Sequence, residues 1–146
     1  LPRNIKTIFV ETVKNKIPIT DLRSYQQGLE MDITNAVIAR LQMDGNLRVV
    51  REGRSDAVLK MDLKAYEQEG LRFNRLESVE EYRLFIVLGL VLVDAKTNEI
   101  IWEESDFSGA AEYYVTDIKQ MGEQQAVQQA IEKLAKNVVD RIVEDW

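Results

Sequence analysis

The residues of this chain able to do acid–base chemistry are its carboxylates. Glu103 and Glu104 are adjacent, and Glu77, Glu80 and Glu81 crowd together just before a long apolar run. Two carboxyl groups held at different pKa values suffice to cleave a glycosidic bond. Neighbouring residues of a strand point to opposite faces, however, so Glu103 and Glu104 cannot converge on one substrate atom. The chain has no histidine and no cysteine, which removes histidine-based triads, thiol nucleophiles and the common zinc sites. It also lacks a phosphate-binding GxxxxGK[ST] loop, a GxGxxG turn and the spacing of a calcium loop. The residue types describe a protein that binds rather than catalyses and that needs no cofactor.

The elements that must carry any binding surface centre on residues 84–93 (LFIVLGLVLV), which follow the polar Glu80-Glu81-Tyr82-Arg83. This run is about half the length a helix needs to cross a bilayer. It is rich in β-branched residues and ends in a polar turn over 94–99, so it reads as a strand with two apolar faces. If helices cover one face, a second layer of the chain or a partner must cover the other.

Residues 5–13 predict a first strand inside the sheet, and 14–27, with Pro18 and Asp21, a loop over the surface. From Gly28 the period becomes helical, with Leu29, Ile33, Ala36, Val37 and Leu41 on one stripe and Gly45-Asn46 as the stop. A short strand over 47–50 and a polar turn over 51–56 follow. Residues 57–67 alternate, placing Leu59, Met61, Leu63 and Ala65 on the buried face and Lys60, Asp62 and Lys64 on the wet one. A loop is expected over 68–78, a hairpin partner for the apolar strand over 100–107, and an exit from that hairpin at Tyr113-Tyr114, rings that end a strand or border a membrane-proximal surface. The last helix is expected from Gly122-Glu123, with Val127, Ala130, Ile131, Leu134, Ala135, Val138, Ile142 and Val143 on one stripe.

This order predicts an α+β fold: a two-layer sandwich whose mixed, mainly antiparallel sheet of about four to five strands carries two helices on one face. A right-handed crossover through the first helix would make the first strand parallel to a neighbour. With 146 residues, 45% of them apolar and 30% charged, the chain fits a single domain over 1–146. Its formal charge of −6, from 25 acidic and 19 basic residues, and the lack of a basic stripe argue against nucleic acid as a partner. It opens Leu1-Pro2-Arg3-Asn4 without a charged-then-apolar leader, as expected of a mature or trimmed form whose targeting signal lies upstream.

Five segments together resemble the LptE-type lipopolysaccharide-assembly lipoproteins: the opening LPRNIKTIFV, the helix-to-strand passage DGNLRVV from Asp44, the segment DAVL from Asp56, EYRL from Glu81, and VDAKTNEIIWE from Val93. The resemblance covers nearly the whole chain. It implies a non-enzymatic periplasmic domain, held at the periplasmic face of the outer membrane by an upstream lipid anchor. Such a domain sits inside or against the LptD β-barrel and helps it assemble and receive lipopolysaccharide. The alternative is another envelope lipoprotein of similar opening, a peptidoglycan-synthase activator or a secretion-channel accessory, since Gly45 to Val50 resembles theirs too. The long hairpin followed by one long terminal helix favours the first.

The family's headgroup-contacting basic residues lie near the loop joining the middle strands, which the resemblance carries to Arg72 and Arg75. Lys119, before the last helix, follows on the same logic. Arginine's planar fork can grip a phosphate bidentately. Val87, Val91 and Trp102 are the expected partner-facing residues of the sheet, Trp102 as a packing residue rather than a ligand platform.

Overall fold

In a computed structural model the apolar run forms the C-terminal two-thirds of one long strand, and everything else is arranged about it. The structure describes residues 1–18, 27–115 and 119–144, with the side chains of 119–121 left aside. The strands are β1 (Thr7–Val10), β2 (Lys14–Asn15), β3 (Arg48–Val49), β4 (Ala57–Phe73), β5 (Val79–Asp94) and β6 (Ile100–Tyr114). The helices are α1 (Leu29–Asp44) and α2 (Lys119–Val143). The sheet runs in the order β3-β1-β4-β5-β6, with β2 also beside β4. The pairings of β1 with β3 and β4, and of β2 with β4, are parallel, while β4, β5 and β6 form an antiparallel meander. The expected α+β architecture, with its mixed sheet and parallel first strand, is therefore present, in six strands rather than four to five.

Gly28 (φ 89°) and Gly45 (φ 82°) bound α1, both in the left-handed region that a side chain disfavours. Between them Leu29, Ile33, Val37 and Leu41 are buried. The stripe of α2 is buried as the spacing requires, from Val127 through Ile142, and α1, α2 and one sheet face enclose a single apolar cluster. From β5 this cluster takes Leu84, Ile86, Leu88, Leu90 and Leu92, each 1% exposed or less. Burying five such side chains is the main reason β5 lies where it does.

Four expectations need correction. Residues 68–78 are not a loop: β4 runs to Phe73 and β5 starts at Val79, leaving only a tight turn. β6 does not end at Phe107 but continues to Tyr114, so Tyr113 and Tyr114 belong to the hairpin. Ala65 leaves the buried face, because a register shift between Leu63 and Ala65 sets Ala65 opposite Val87 and Tyr66 opposite Ile86. Tyr66 takes the core position, 3% exposed. The segment read as a surface loop over 14–27 contributes β2, and its residues 19–26 lie outside the described residues.

Candidate functional site

The side of the sheet opposite the helices, together with the end of the β4–β5 hairpin, forms the candidate site. At that end Asn74 closes the turn. Its N–H donates to Ser78 O at 2.9 Å and its O accepts the Glu77 N–H at 3.0 Å. Its side-chain Oδ1 accepts the N–H groups of Leu76 and Ser78 at 2.8 and 3.0 Å. Glu77 sits at φ 62°, a local strain that these four bonds offset. The turn so held projects Arg75 and Leu76 into solvent, with Phe73 beside them; Leu76 is 85% exposed and Phe73 57%.

Behind the turn, cross-strand rows organise the helix-free face. Arg72 stands opposite Glu81, which stands opposite Tyr114. The Arg72 Nε lies 3.7 Å from Glu81 Oε2, and its guanidinium lies 5.9 Å from the centre of the exposed Tyr114 ring, within the range of cation–π attraction. In the next row Arg83 donates to Glu112 Oε1 at 2.7 Å, and that carboxylate raises the guanidinium's pKa above its ordinary value. Further along come Phe85, Val87 and Val91, all partly exposed, opposite Glu67, Ala65 and Lys60 of β4. Lys64 crosses this apolar spine at Gly89 and donates to Ser105 O at 2.6 Å. A Cβ at Gly89 would stand 3.3 Å from Lys64 Cδ, so the missing side chain makes room for the crossing.

On the other face a polar cluster ties the hairpin to α2. Tyr113 Oη donates to Gln68 Oε1, Gln68 Nε2 donates to Glu123 Oε1 at 2.7 Å, and Tyr66 Oη donates to the same oxygen at 3.2 Å. Tyr113 stacks on Tyr82 with ring centres 5.4 Å apart. Burial, reinforced by the Glu123 charge, pushes the Tyr113 hydroxyl up to about 12 and the Tyr66 hydroxyl above its ordinary range. The hairpin end is thus anchored to the helix layer.

Of the residues expected from the sequence, Arg72 and Arg75 lie together at the hairpin end, and Val87 and Val91 share the helix-free face. Lys119 is the first residue of α2 rather than part of a loop, and its side chain is outside the described residues. Trp102 does not join the partner-facing set: it stands opposite Leu92 on the helix side, 8% exposed. There Arg141 of α2 lies 4.5 Å above its ring while donating to Glu104 Oε1 at 2.9 Å. Glu103 and Glu104 stand opposite Val91 and Leu90, on different faces. Among the described residues no cluster of three or more carboxylates is placed to hold a metal ion, and no helix is long and apolar enough to cross a membrane.

The residues that the sequence reading passed over are Phe73 and Leu76. Their signal was present as the alternation of basic and apolar residues in Arg72-Phe73-Asn74-Arg75-Leu76. An apolar tip flanked by guanidinium groups suits a ligand with both an acyl and an anionic part.

The family model described as LptE, lipopolysaccharide-assembly, matches residues 5–146. No curated protein matches the sequence. Among solved structures, a protein from Xanthomonas campestris superposes with a TM-score of 0.72 at 16% identity, over 97% of this chain and 86% of its own. A minor lipoprotein from Acinetobacter baumannii gives 0.60 at 14% identity, over 95% of this chain and 93% of that one. The rare lipoprotein B of Shewanella oneidensis gives 0.53 at 14% identity, over 92% and 90%. At these identities the likenesses establish a shared fold.

Proposed function

This chain belongs to the LptE lipopolysaccharide-assembly family, and on that footing we propose that it acts without catalysis in the outer-membrane machinery that assembles lipopolysaccharide. It works as one domain at the periplasmic face of the outer membrane, held there by a lipid anchor upstream of Leu1. Its partner is the LptD-type β-barrel, which meets the helix-free sheet face through Val87 and Val91. Arg72 and Arg75 meet the anionic headgroup of lipopolysaccharide, while Phe73 and Leu76 offer apolar surface beside them.

The observation that carries this reading is the exposed hairpin end, where two arginines and three large apolar side chains lie beside a sheet face that no helix among the described residues covers. A phosphate near Arg72 would compete with Glu81 for the guanidinium, and the 3.7 Å separation of that pair leaves the fork free to turn. The test uses the lipidated full-length protein to co-purify its partner from solubilised outer membranes. Recovery of the lipopolysaccharide-translocating barrel, reduced by Val87→Lys, supports the reading. Loss of lipopolysaccharide from that complex on changing Arg72 and Arg75 together to Glu supports the headgroup role. Recovery of a peptidoglycan synthase or a secretion channel instead overturns the function and leaves the fold standing.

A further inference from the structure

The sheet ends at β6, and among the described residues no strand pairs with its outer edge. The two halves of that edge differ. Residues 100–106 contain irregular register and the acidic side chains Glu103, Glu104 and Asp106, devices that keep a strand edge from recruiting another chain. Residues 107–114 (FSGAAEYY) pair with β5 in unbroken register, from Phe107 opposite Leu88 to Tyr114 opposite Glu81. This half has no lysine, arginine or proline, and its one acidic residue, Glu112, is paired with Arg83, so it carries less of the usual protection where the strand is most regular.

The direction of its amides follows from the ladder. Val115 N–H donates to Glu80 O at 2.8 Å, and successive amides of an antiparallel strand point to alternate sides. Gly109, Ala111 and Tyr113 therefore direct their N–H groups to β5. Ser108, Ala110, Glu112 and Tyr114 direct theirs outward from the sheet.

Above this edge lies α2. A Cβ at Gly109 would stand 2.8 Å from Ala130 O and 2.8 Å from Leu134 Cβ, so the helix sits directly on β6. A helix with its side chains is about 10–12 Å across, whereas an added strand would lie about 4.8 Å from β6. The flank of α2 thus overhangs the place of that strand. A groove of about 470 Å³ lies there, lined by Arg83, Ala110, Ala111, Glu112, Gln129 and Lys133. A second copy pairing edge to edge would bring its own α2 within about 5 Å of the first, and packed helices need about 8–10 Å. Lys133 makes no ion pair among the described residues.

We propose that the edge of residues 107–114 is a receptor for one extended strand of a partner polypeptide, seated under the flank of α2. The strand bonds to the outward backbone groups of Ser108, Ala110, Glu112 and Tyr114 and directs an acidic side chain to Lys133. This is strand addition, in which main-chain bonds supply affinity and flanking side chains supply choice. It stands apart from the family reading, since it rests on the backbone edge of β6 and on Lys133 of α2 rather than on Arg72, Arg75, Val87 or Val91.

The test pans a random-peptide phage library on the immobilised full chain and measures the enriched peptides in solution. The expected result is extended, acidic peptides that slow hydrogen exchange at the amides of Ser108, Ala110, Glu112 and Tyr114. Ala110→Pro removes one outward N–H without touching the bonds to β5, and it should weaken those peptides about tenfold or more. Lys133→Glu should weaken them as well. If no peptide is enriched, or if the enriched peptides protect other amides, the proposal is overturned. Hydrogen exchange on the unaltered chain decides the matter even if the proline variant fails to fold.

Discussion

Leu88 and Val87 are chain neighbours that experience opposite environments, and exchanging their chemistry tests the assignment of sheet faces. Leu88 is 0% exposed, within the cluster roofed by α1 and α2. Truncating it to alanine removes buried methyl groups and leaves a cavity between a helix layer and a sheet that cannot easily collapse. The expected loss is about 3 kcal/mol, within the range for buried leucines. For a chain of this size that corresponds to roughly 6–12 °C in melting temperature. Val87 faces away from the helices between Ala65 and Ser108 and is partly exposed. A lysine there can lay its methylenes along Phe85 and Val91 and keep its ammonium in water, so Val87→Lys should cost under about 1 kcal/mol. Urea denaturation of the two variants beside the parent measures both. If Val87→Lys destabilises as much as Leu88→Ala, a further layer of the folded chain covers that face, and the assignment of Val87 and Val91 to a partner surface is wrong.

Gly109→Ala should cost about 1–3 kcal/mol, because its methyl group would overlap backbone and Cβ atoms of α2 rather than a movable side-chain end; an unchanged denaturation midpoint would mean α2 does not seat on β6 as described. Arg141→Ala should cost about 1–2 kcal/mol and perturb the Trp102 fluorescence, since it removes both the cation above the indole and the partner of Glu104; an emission spectrum identical to the parent's would refute the stacking. The Tyr113 hydroxyl, raised from 10.0 to about 12 chiefly by burial, stays protonated in the folded state while the unfolded chain ionises. The stability it confers is complete below pH 10 and declines as pH rises from 10 to about 12. Melting temperatures across that range should fall less steeply in Tyr113→Phe than in the parent, and parallel curves would contradict the assignment.

The parts of this fold legible in the sequence are those where burial alone sets the pattern. The stripe from Val127 to Ile142 and the bounds Gly28 and Gly45 of α1 needed no tertiary information, because a helix repeats one spacing throughout and its glycine ends are local. The strand over 84–93 was equally plain, since a run apolar on both faces has few alternatives. Its outer face was legible as a face needing cover, and the register places Val87 and Val91 there.

Trp102 shows where such reasoning stops. Face assignment along a strand counts residues in twos, and one inserted residue reverses every later assignment. β6 changes register relative to β5 between the partners of Leu92 and Val93 and again between those of Leu88 and Leu90; neither shift has a glycine or proline beside it on β6 to announce it. The same limit moved Ala65 outward and brought Tyr66 into the core.

The strand extension at the hairpin end was missed for a different reason. Residues 68–78 contain Gln, Glu, Gly, Arg and Asn, weak strand formers that read as a loop. Yet β4 and β5 persist there because neighbouring strands supply what propensity does not: Arg72 opposite Glu81 and Tyr114, and Arg83 opposite Glu112. Strand propensity is largely the sum of such cross-strand pairs, which depend on residues far away in sequence. An extension held by charged pairs and one aromatic ring, beyond the polar cluster around Glu123, has little apolar core to lose. Leu76, 85% exposed, buries almost nothing in that extension, which is why we assign it, with Phe73, to the proposed binding surface rather than to the fold.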